Sequence, residues 1–218
     1  MGLGRYEWLG RLAERLPEDC LVVSTYIGAV SFEWAAHTDE HPRTAHLGQM
    51  GDVIGLALGL ALALPHRKVV CLDGDGSVLM ELGQLVAMGQ ESPENLVVFV
   101  ADNSAYESIG SSEKGPRPTA TATTTDLAAV ARACGVPRAV NIDTMEDLEA
   151  EIDRAFSAPA CAFVNVRTEP GPAMVPPRQA DGFEDKYRFV RYVERLEGIQ
   201  ILHLAQQDRQ LMRDPSAD

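Results

Sequence analysis

Five runs of strand length are apolar almost from end to end: Cys20–Ser24, Lys68–Leu72, Asn95–Ala101, Arg138–Ile142 and Cys161–Arg167. A strand with one wet face alternates apolar and polar residues. Runs without that alternation are covered on both faces, as in a parallel sheet sandwiched between helices. Segments of helical pattern lie between the runs, at Gly51–Leu64, Ser77–Glu91, Asp126–Cys134 and Thr144–Phe156. The last opens with Thr144-Met-Glu-Asp147, a capping-box start. The expected fold is therefore α/β, a doubly wound parallel sheet. Ligands of such sheets bind beyond the carboxyl ends of the strands, where loops lead into helices.

With 218 residues, 45% of them hydrophobic and 23% charged, the chain suits one large domain and is not disordered throughout. Its character changes after Arg167. Residues 169–182 are rich in Pro and Gly and read as a connector. Phe183–Asp214 is helical in pattern, with Tyr187, Val190, Val193 and Leu196 on one stripe, and Pro215–Asp218 is expected to fray. The division expected is a ligand-binding domain over 1–168 and a connector with a C-terminal helical arm over 169–218. Thr119–Thr125 (TATATTT), the only low-complexity tract, reads as a polar loop.

A formal net charge of −13 repels phosphate backbones and anionic lipid, and no basic patch offsets it, so neither nucleic acid nor membrane is an expected partner. The longest apolar run, Val53–Leu64, has twelve residues and is too short to cross a bilayer. No signal-peptide pattern opens the chain, which makes a cytoplasmic location the expectation. The four cysteines form no CxxC pair and read as reduced, buried thiols rather than ligands of an iron–sulfur cluster or zinc.

The strongest local signal is Val69-Val-Cys-Leu-Asp-Gly-Asp-Gly-Ser77, a buried strand that runs straight into a helix. Glycines on either side of Asp75 admit a ligand close to the backbone, and a new helix offers free amide N–H groups. A carboxylate among those amides would repel a bare phosphate, but it suits a divalent cation that bridges to phosphate oxygens. The next strand ends in Asp102-Asn103-Ser-Ala-Tyr106, with 26 residues between Gly76 and Asn103. Adjacent parallel strands lie about 4.8 Å apart, so Asp75 and Asn103 can converge on one hard cation.

This GDG…N arrangement resembles the magnesium–diphosphate motif of thiamine diphosphate enzymes. The likeness runs over roughly Leu21 to Arg167 and includes Leu47-Gly-Gln-Met-Gly51 and Ile54-Gly-Leu-Ala-Leu-Gly-Leu-Ala-Leu-Ala63. Asp102–Tyr106, Ser108-Ile-Gly110, Pro118-Thr119, Asp126-Leu127 and Lys186–Arg191 are similar to the subgroup of sulfopyruvate decarboxylase β subunits and phosphonopyruvate decarboxylases. The resemblance implies Mg²⁺ ligation by Asp75, the side chain of Asn103 and the carbonyl of Ala105. It implies a diphosphate held by Gly74, Gly76 and Ser77, with Gly28 and Ala29 reaching it from the neighbouring strand end and Tyr106 beside it. Met50 would sit under the thiazolium, the amide of Met50 would meet the pyrimidine, and the carbonyl of Gly48 would accept from the cofactor's amino group. His46 is a second catalytic candidate, facing the substrate cavity. His37 and His41 read as surface or capping residues, and Glu107 is a further cavity candidate.

These enzymes need a second domain that binds the pyrimidine and brings an activating Glu. No segment of this chain corresponds to it, so the resemblance implies a split enzyme, an α/β hetero-oligomer whose second subunit completes the pocket. The implied reaction is decarboxylation of a small anionic 2-oxoacid to an aldehyde. Lys114 and Arg117 are candidates for the substrate's anionic tail, although Ser111–Arg117 departs from the subgroup's shorter turn. A carboligase or oxidoreductase subunit of the same cofactor class and a non-catalytic scaffold are the alternatives. A dinucleotide-binding domain is disfavoured by the glycine spacing of GDGSVLMELG.

Overall fold

The computed structural model describes residues 2–26, 28–111, 114–176, 178 and 181–202. Its centre is a six-stranded sheet in which every neighbouring pair is parallel. The strands are β1 (Leu21–Thr25), β2 (Thr44–Gly48), β3 (Val69–Gly74), β4 (Leu96–Asp102), β7 (Arg138–Ile142) and β8 (Ala162–Arg167). They stand in the order β2-β1-β3-β4-β8-β7. A two-stranded antiparallel hairpin, β5 (Ala105–Ser111) and β6 (Gly115–Pro118), follows β4 directly. The helices are α1 (Arg5–Arg15), α2 (Ala29–Thr38), α3 (Val53–Ala63), α4 (Asp75–Met80), α5 (Gly83–Glu91), α6 (Leu127–Ala133), α7 (Met145–Ser157) and α8 (Gly182–Glu197).

Two apolar layers cover the sheet, which is why its strands show no alternation. One is built on α3, α5, α6 and α8, with Ile54, Leu85, Met88 and Leu127 fully buried among them. The other is built on α1, α2 and α7, with Trp8, Trp34 and Ile152 fully buried. From β1 the chain leaves through α2 to β2 on one side. From β3 it leaves through α4 and α5 to β4 on the other. The carboxyl ends of β1 and β3 therefore flank a switch point, where such sheets hold ligands.

All five apolar runs are strands, and the parallel architecture is the expected one. Five elements, α1, α2, β2 and the hairpin strands β5 and β6, were not anticipated. The helix expected over Ser77–Glu91 is two: α4 starts at Asp75 and ends at Met80, capped where the amide of Glu81 turns back to Val78 O at 3.3 Å, and α5 begins at Gly83. The C-terminal helix ends at Glu197 because Gly198 takes a left-handed conformation (φ 65°) as its cap; residues 203–218 lie outside the described ones. Its buried stripe also differs from the expected one. Phe189 and Val193 enter the core, with Tyr192 and Leu196 partly buried against it, while Tyr187 is half exposed. Thr144 caps α7 as expected, accepting from the Asp147 amide at 3.1 Å. The cysteines are free; Cys20, Cys71 and Cys161 are buried and Cys134 is partly so. No described helix is long and apolar enough to cross a membrane.

Candidate functional site

The register of β3 against β4 pairs Gly74 with Ala101. Asp75 and Asn103 therefore leave the sheet side by side, each just past a strand end. They share a cavity of about 180 Å³ with Gly28, Ala29, Met50, Gly74, Gly76, Ser77, Ala105 and Tyr106. Thr25, Val30, Ala101, Arg5 and Glu107 complete the lining. The cavity sits at the switch point between β1 and β3.

Each wall has a local cause. Gly28 holds φ 114°, a conformation that L side chains rarely adopt, and an added Cβ would meet nothing within 4 Å, so the chain enters α2 with its first amides uncovered. Gly76 carries no side chain because the Tyr106 ring lies over it: a Cβ there would sit 2.5 Å from Cε1. The turn after β4 is set by two Asx contacts. Asp102 Oδ1 accepts from the Ser104 amide at 3.2 Å and Asn103 Oδ1 from the Ala105 amide at 3.0 Å, with Ser104 left-handed at φ 59°. Ser77 lines the cavity, but its hydroxyl is engaged, accepting from the Gly51 amide at 3.0 Å.

Carboxylates crowd the strand ends. Burial, with Asp102 nearby, pushes Asp75 up to about 6, against the lowering effect of the Thr119 and Thr121 hydroxyls. Burial likewise pushes Asp73 up to about 7, with Asp52 and Asp75 adding to it. Such a site is electrostatically short of a cation. The donors present fit one: Asp75, the Asn103 side-chain oxygen with a lone pair beyond the one that Ala105 uses, and a main-chain carbonyl at Ala105. Among the described residues no three His, Cys, Asp or Glu side chains gather as a metal site. The fit is therefore to a hard cation that takes mixed oxygen ligands and completes its shell from a bound phosphate or water, as Mg²⁺ does.

Four expected positions fall elsewhere. His46 is buried at 3% exposure and does not line the cavity. It lies opposite Ser24, inside the sheet, with Nδ1 on the Ser31 hydroxyl at 3.0 Å, and burial beside Arg178 and Arg188 lowers it to about 3. Buried and bonded to Ser31, it is placed as a core histidine away from the cavity. Gly48 is also absent from the lining, and its carbonyl accepts from the Tyr26 amide at 2.7 Å. Lys114 and Arg117 are exposed on the hairpin, outside the cavity; Arg117 is the register partner of Tyr106. His37 stacks on Tyr6 at 4.0 Å, and His41 accepts from the Arg43 amide at 3.1 Å.

Glu107 does reach the cavity, tied to Arg5 at 3.2 Å and to the Gly171 amide at 2.8 Å. Arg5, Thr25, Thr119 and Thr121 were missed. The amphipathic spacing of Trp8, Leu9 and Leu12 was a signal for the helix that carries Arg5; Pro118-Thr119 is part of the resemblance, but nothing in TATATTT marked two of its hydroxyls as partners of Asp75.

Three comparisons bear on this site. The family model described as "Thiamine pyrophosphate enzyme, C-terminal TPP binding domain" matches residues 26–166. A phosphonopyruvate decarboxylase of Streptomyces viridochromogenes is 41% identical over 75% of this chain and 39% of its own length. A sulfopyruvate decarboxylase subunit beta of Methanocaldococcus jannaschii is 31% identical over 88% of this chain and 97% of its own. Among solved structures, the thiamine diphosphate-dependent 4-hydroxybenzoylformate decarboxylase of Rhodococcus jostii RHA1 shares the fold, with a TM-score of 0.61 at 21% identity. That match covers 79% of this chain and 34% of that one.

Proposed function

The chain belongs to the thiamine pyrophosphate-dependent enzymes, and on that premise we propose that it is the diphosphate- and magnesium-binding subunit of a split decarboxylase acting on a small anionic 2-oxoacid. The observation that carries the reading is the single cavity in which Asp75, Asn103 and Ala105 meet Gly28, Ala29 and Met50. The split is supported by the name of a relative. This chain spans 97% of a relative named as a subunit beta, but only 39% of the phosphonopyruvate decarboxylase. The cavity's 180 Å³ is also small beside the roughly 300–1,000 Å³ usual for a small-molecule site, in keeping with a wall supplied by another chain. In this reading residues 1–168 form the cofactor domain and 169–218 an added arm.

Thiamine diphosphate, when bound, supplies the electron sink that lets a 2-oxoacid lose CO₂. Asp75, Asn103 and the Ala105 carbonyl would hold the Mg²⁺, whose charge would offset that of the diphosphate. The amides at the start of α2 and those of Gly76 and Ser77 would serve as donors to the diphosphate. Met50, half exposed at the rim, is an apolar support for the cofactor's rings and part of the surface that the second subunit covers. That subunit brings the pyrimidine site and the activating Glu. Arg117, across the hairpin from Tyr106, is the nearer candidate for the substrate's anionic tail, with Lys114 at the exposed turn behind it.

The test is recovery of the chain from its native extract, followed by calorimetry with thiamine diphosphate and Mg²⁺. CO₂ release is then assayed with phosphonopyruvate, sulfopyruvate and pyruvate. A second subunit that makes cofactor binding magnesium-dependent, and turnover of one of the two anionic substrates above pyruvate, are the expected results. A chain that comes back alone and binds no cofactor at millimolar Mg²⁺ would overturn the reading in favour of a scaffold.

A further inference from the structure

Two threonines from the TATATTT tract fold back onto the aspartate at the centre of the cavity. The chain leaves β6 at Pro118, turns through a 3₁₀ segment at Ala120–Ala122, and is pinned by the Thr119 amide on Ser104 O at 3.1 Å. Thr119, 5% exposed, donates its hydroxyl hydrogen to Asp75 Oδ2 at 2.6 Å. Thr121 Oγ1 lies 3.1 Å from the same oxygen, 2.8 Å from Asp102 Oδ1 and 2.9 Å from Thr119 Oγ1.

Counting hydrogens separates the two roles. Each hydroxyl has one to give. Thr119 spends its hydrogen on Asp75. Thr121 stands between two carboxylates, and Asp102 is the nearer. Asp102 has other donors, the Ser104 amide at 3.2 Å and Asn165 Nδ2 at 2.9 Å. Asp75 Oδ2 receives no side-chain donor among the described residues except these two threonines. Both fall on Oδ2, and the Gly76 amide also lies against the carboxylate; Oδ1, without a side-chain donor among the described residues, is the oxygen presented to a cation. A carboxylate fixed at one oxygen cannot rotate freely at the other, and β-branched threonine holds its hydroxyl in few rotamers.

We infer that Thr119, supported by Thr121, is a positioning residue that clamps Asp75 Oδ2 and so presents Oδ1 to the cation. This rests on the reading that Asp75 holds the Mg²⁺ of a bound diphosphate. Thr119 itself touches neither metal nor cofactor. Losing such an outer contact costs metal sites about 10- to 100-fold in affinity, and that is the shift expected here.

The experiment uses the full chain assembled with the subunit recovered with it. Thiamine diphosphate binding is titrated with Mg²⁺ by calorimetry, and Mn²⁺ binding is followed independently by electron paramagnetic resonance. Thr119→Val should raise the metal concentration for half-saturation about 10- to 100-fold, with cofactor binding restored at saturating metal. Thr119→Ser, which keeps the hydroxyl, should return to within a few fold of the native value; a purely structural role would lower the melting midpoint instead and leave the metal titration unmoved. Should Thr119→Val not fold, Thr119→Cys, whose thiol is a weak donor, carries the same expectation. If Asp75→Asn abolishes the magnesium dependence while the Thr119 variants stay within twofold of native, the clamp is overturned and the metal assignment survives. If Asp75→Asn leaves the dependence intact, the metal assignment fails and the clamp fails with it.

Discussion

Arg5 and Glu33 form a two-pronged ion pair inside the protein, Nε to Oε2 and Nη2 to Oε1, both at 3.1 Å, with side chains 3% and 1% exposed. The third guanidinium nitrogen of Arg5 donates to Glu107 at the cavity wall, and the Ala173 amide donates to Glu33 at 2.9 Å. One buried pair thus ties α1, α2, the hairpin and the connector together behind the cavity. Leaving either charge without its partner is costly, since a bare buried ion has lost its water. Glu33→Met is expected to lower unfolding free energy by about 3–5 kcal/mol in urea titration. The Arg5→Met/Glu33→Met double variant should recover more than half of that loss, and a double variant as unstable as the sum of the singles would refute the coupling.

Chelation and Asp75→Asn should act alike. Treatment with a chelator should strip thiamine diphosphate from the assembled protein during gel filtration, and millimolar Mg²⁺ should restore it. Asp75→Asn should lose the cofactor even with Mg²⁺ present, while its far-UV circular dichroism stays native. Cofactor retention by the chelated wild type would count against a bridging metal.

At Gly76 the constraint is steric. A methyl group would meet the Tyr106 ring at 2.5 Å, so ring or helix start must move. Gly76→Ala is expected to weaken cofactor binding at least tenfold by calorimetry. Adding Tyr106→Ala should win back part of that loss. No recovery in the double variant would show that the helix start, rather than the ring, is what fails.

His46 makes acid stability a measurable quantity. Its folded value, about 3, lies below the ordinary value of 6.5, so between those limits the unfolded chain binds more protons than the folded one. The stability that neutral His46 allows is complete above about pH 6.5 and is lost as pH falls toward 3. The unfolding free energy of the native protein from urea titration should therefore drop between pH 6.5 and 4 more steeply than that of His46→Gln, by an amount on the order of a few kcal/mol. Asp73 and Asp75, whose values are raised, contribute with the opposite sign in both proteins, so the difference between them isolates His46. Parallel acid curves would place the histidine in contact with water.

Much of this was legible because the signals are local. The absence of alternation in Leu96–Asp102 speaks of two covered faces, and the glycines around Asp75 speak of a close approach; both are properties of a few consecutive residues. What escaped depends on distant partners. Thr119 meets Asp75 across 44 positions, Arg5 meets Glu33 across 28, and no spacing encodes either. Sequence neighbourhood also misled at His46, two positions from Gly48. The cavity begins where the strands end, at Thr25 on β1, and His46 pairs one step further in, at Ser24, beneath α2. The helix break at Leu82 was hidden because both halves are apolar enough to continue one pattern.

The half-exposed Met50 at the cavity rim has a consequence for how the proposed activity would be governed. If the missing wall arrives on another molecule, the number of working sites follows mass action rather than folding. Specific activity would then fall on dilution below the dissociation constant of the pair and return on concentration, with neither chain unfolding. A cell could set the flux by the ratio in which it makes the two chains.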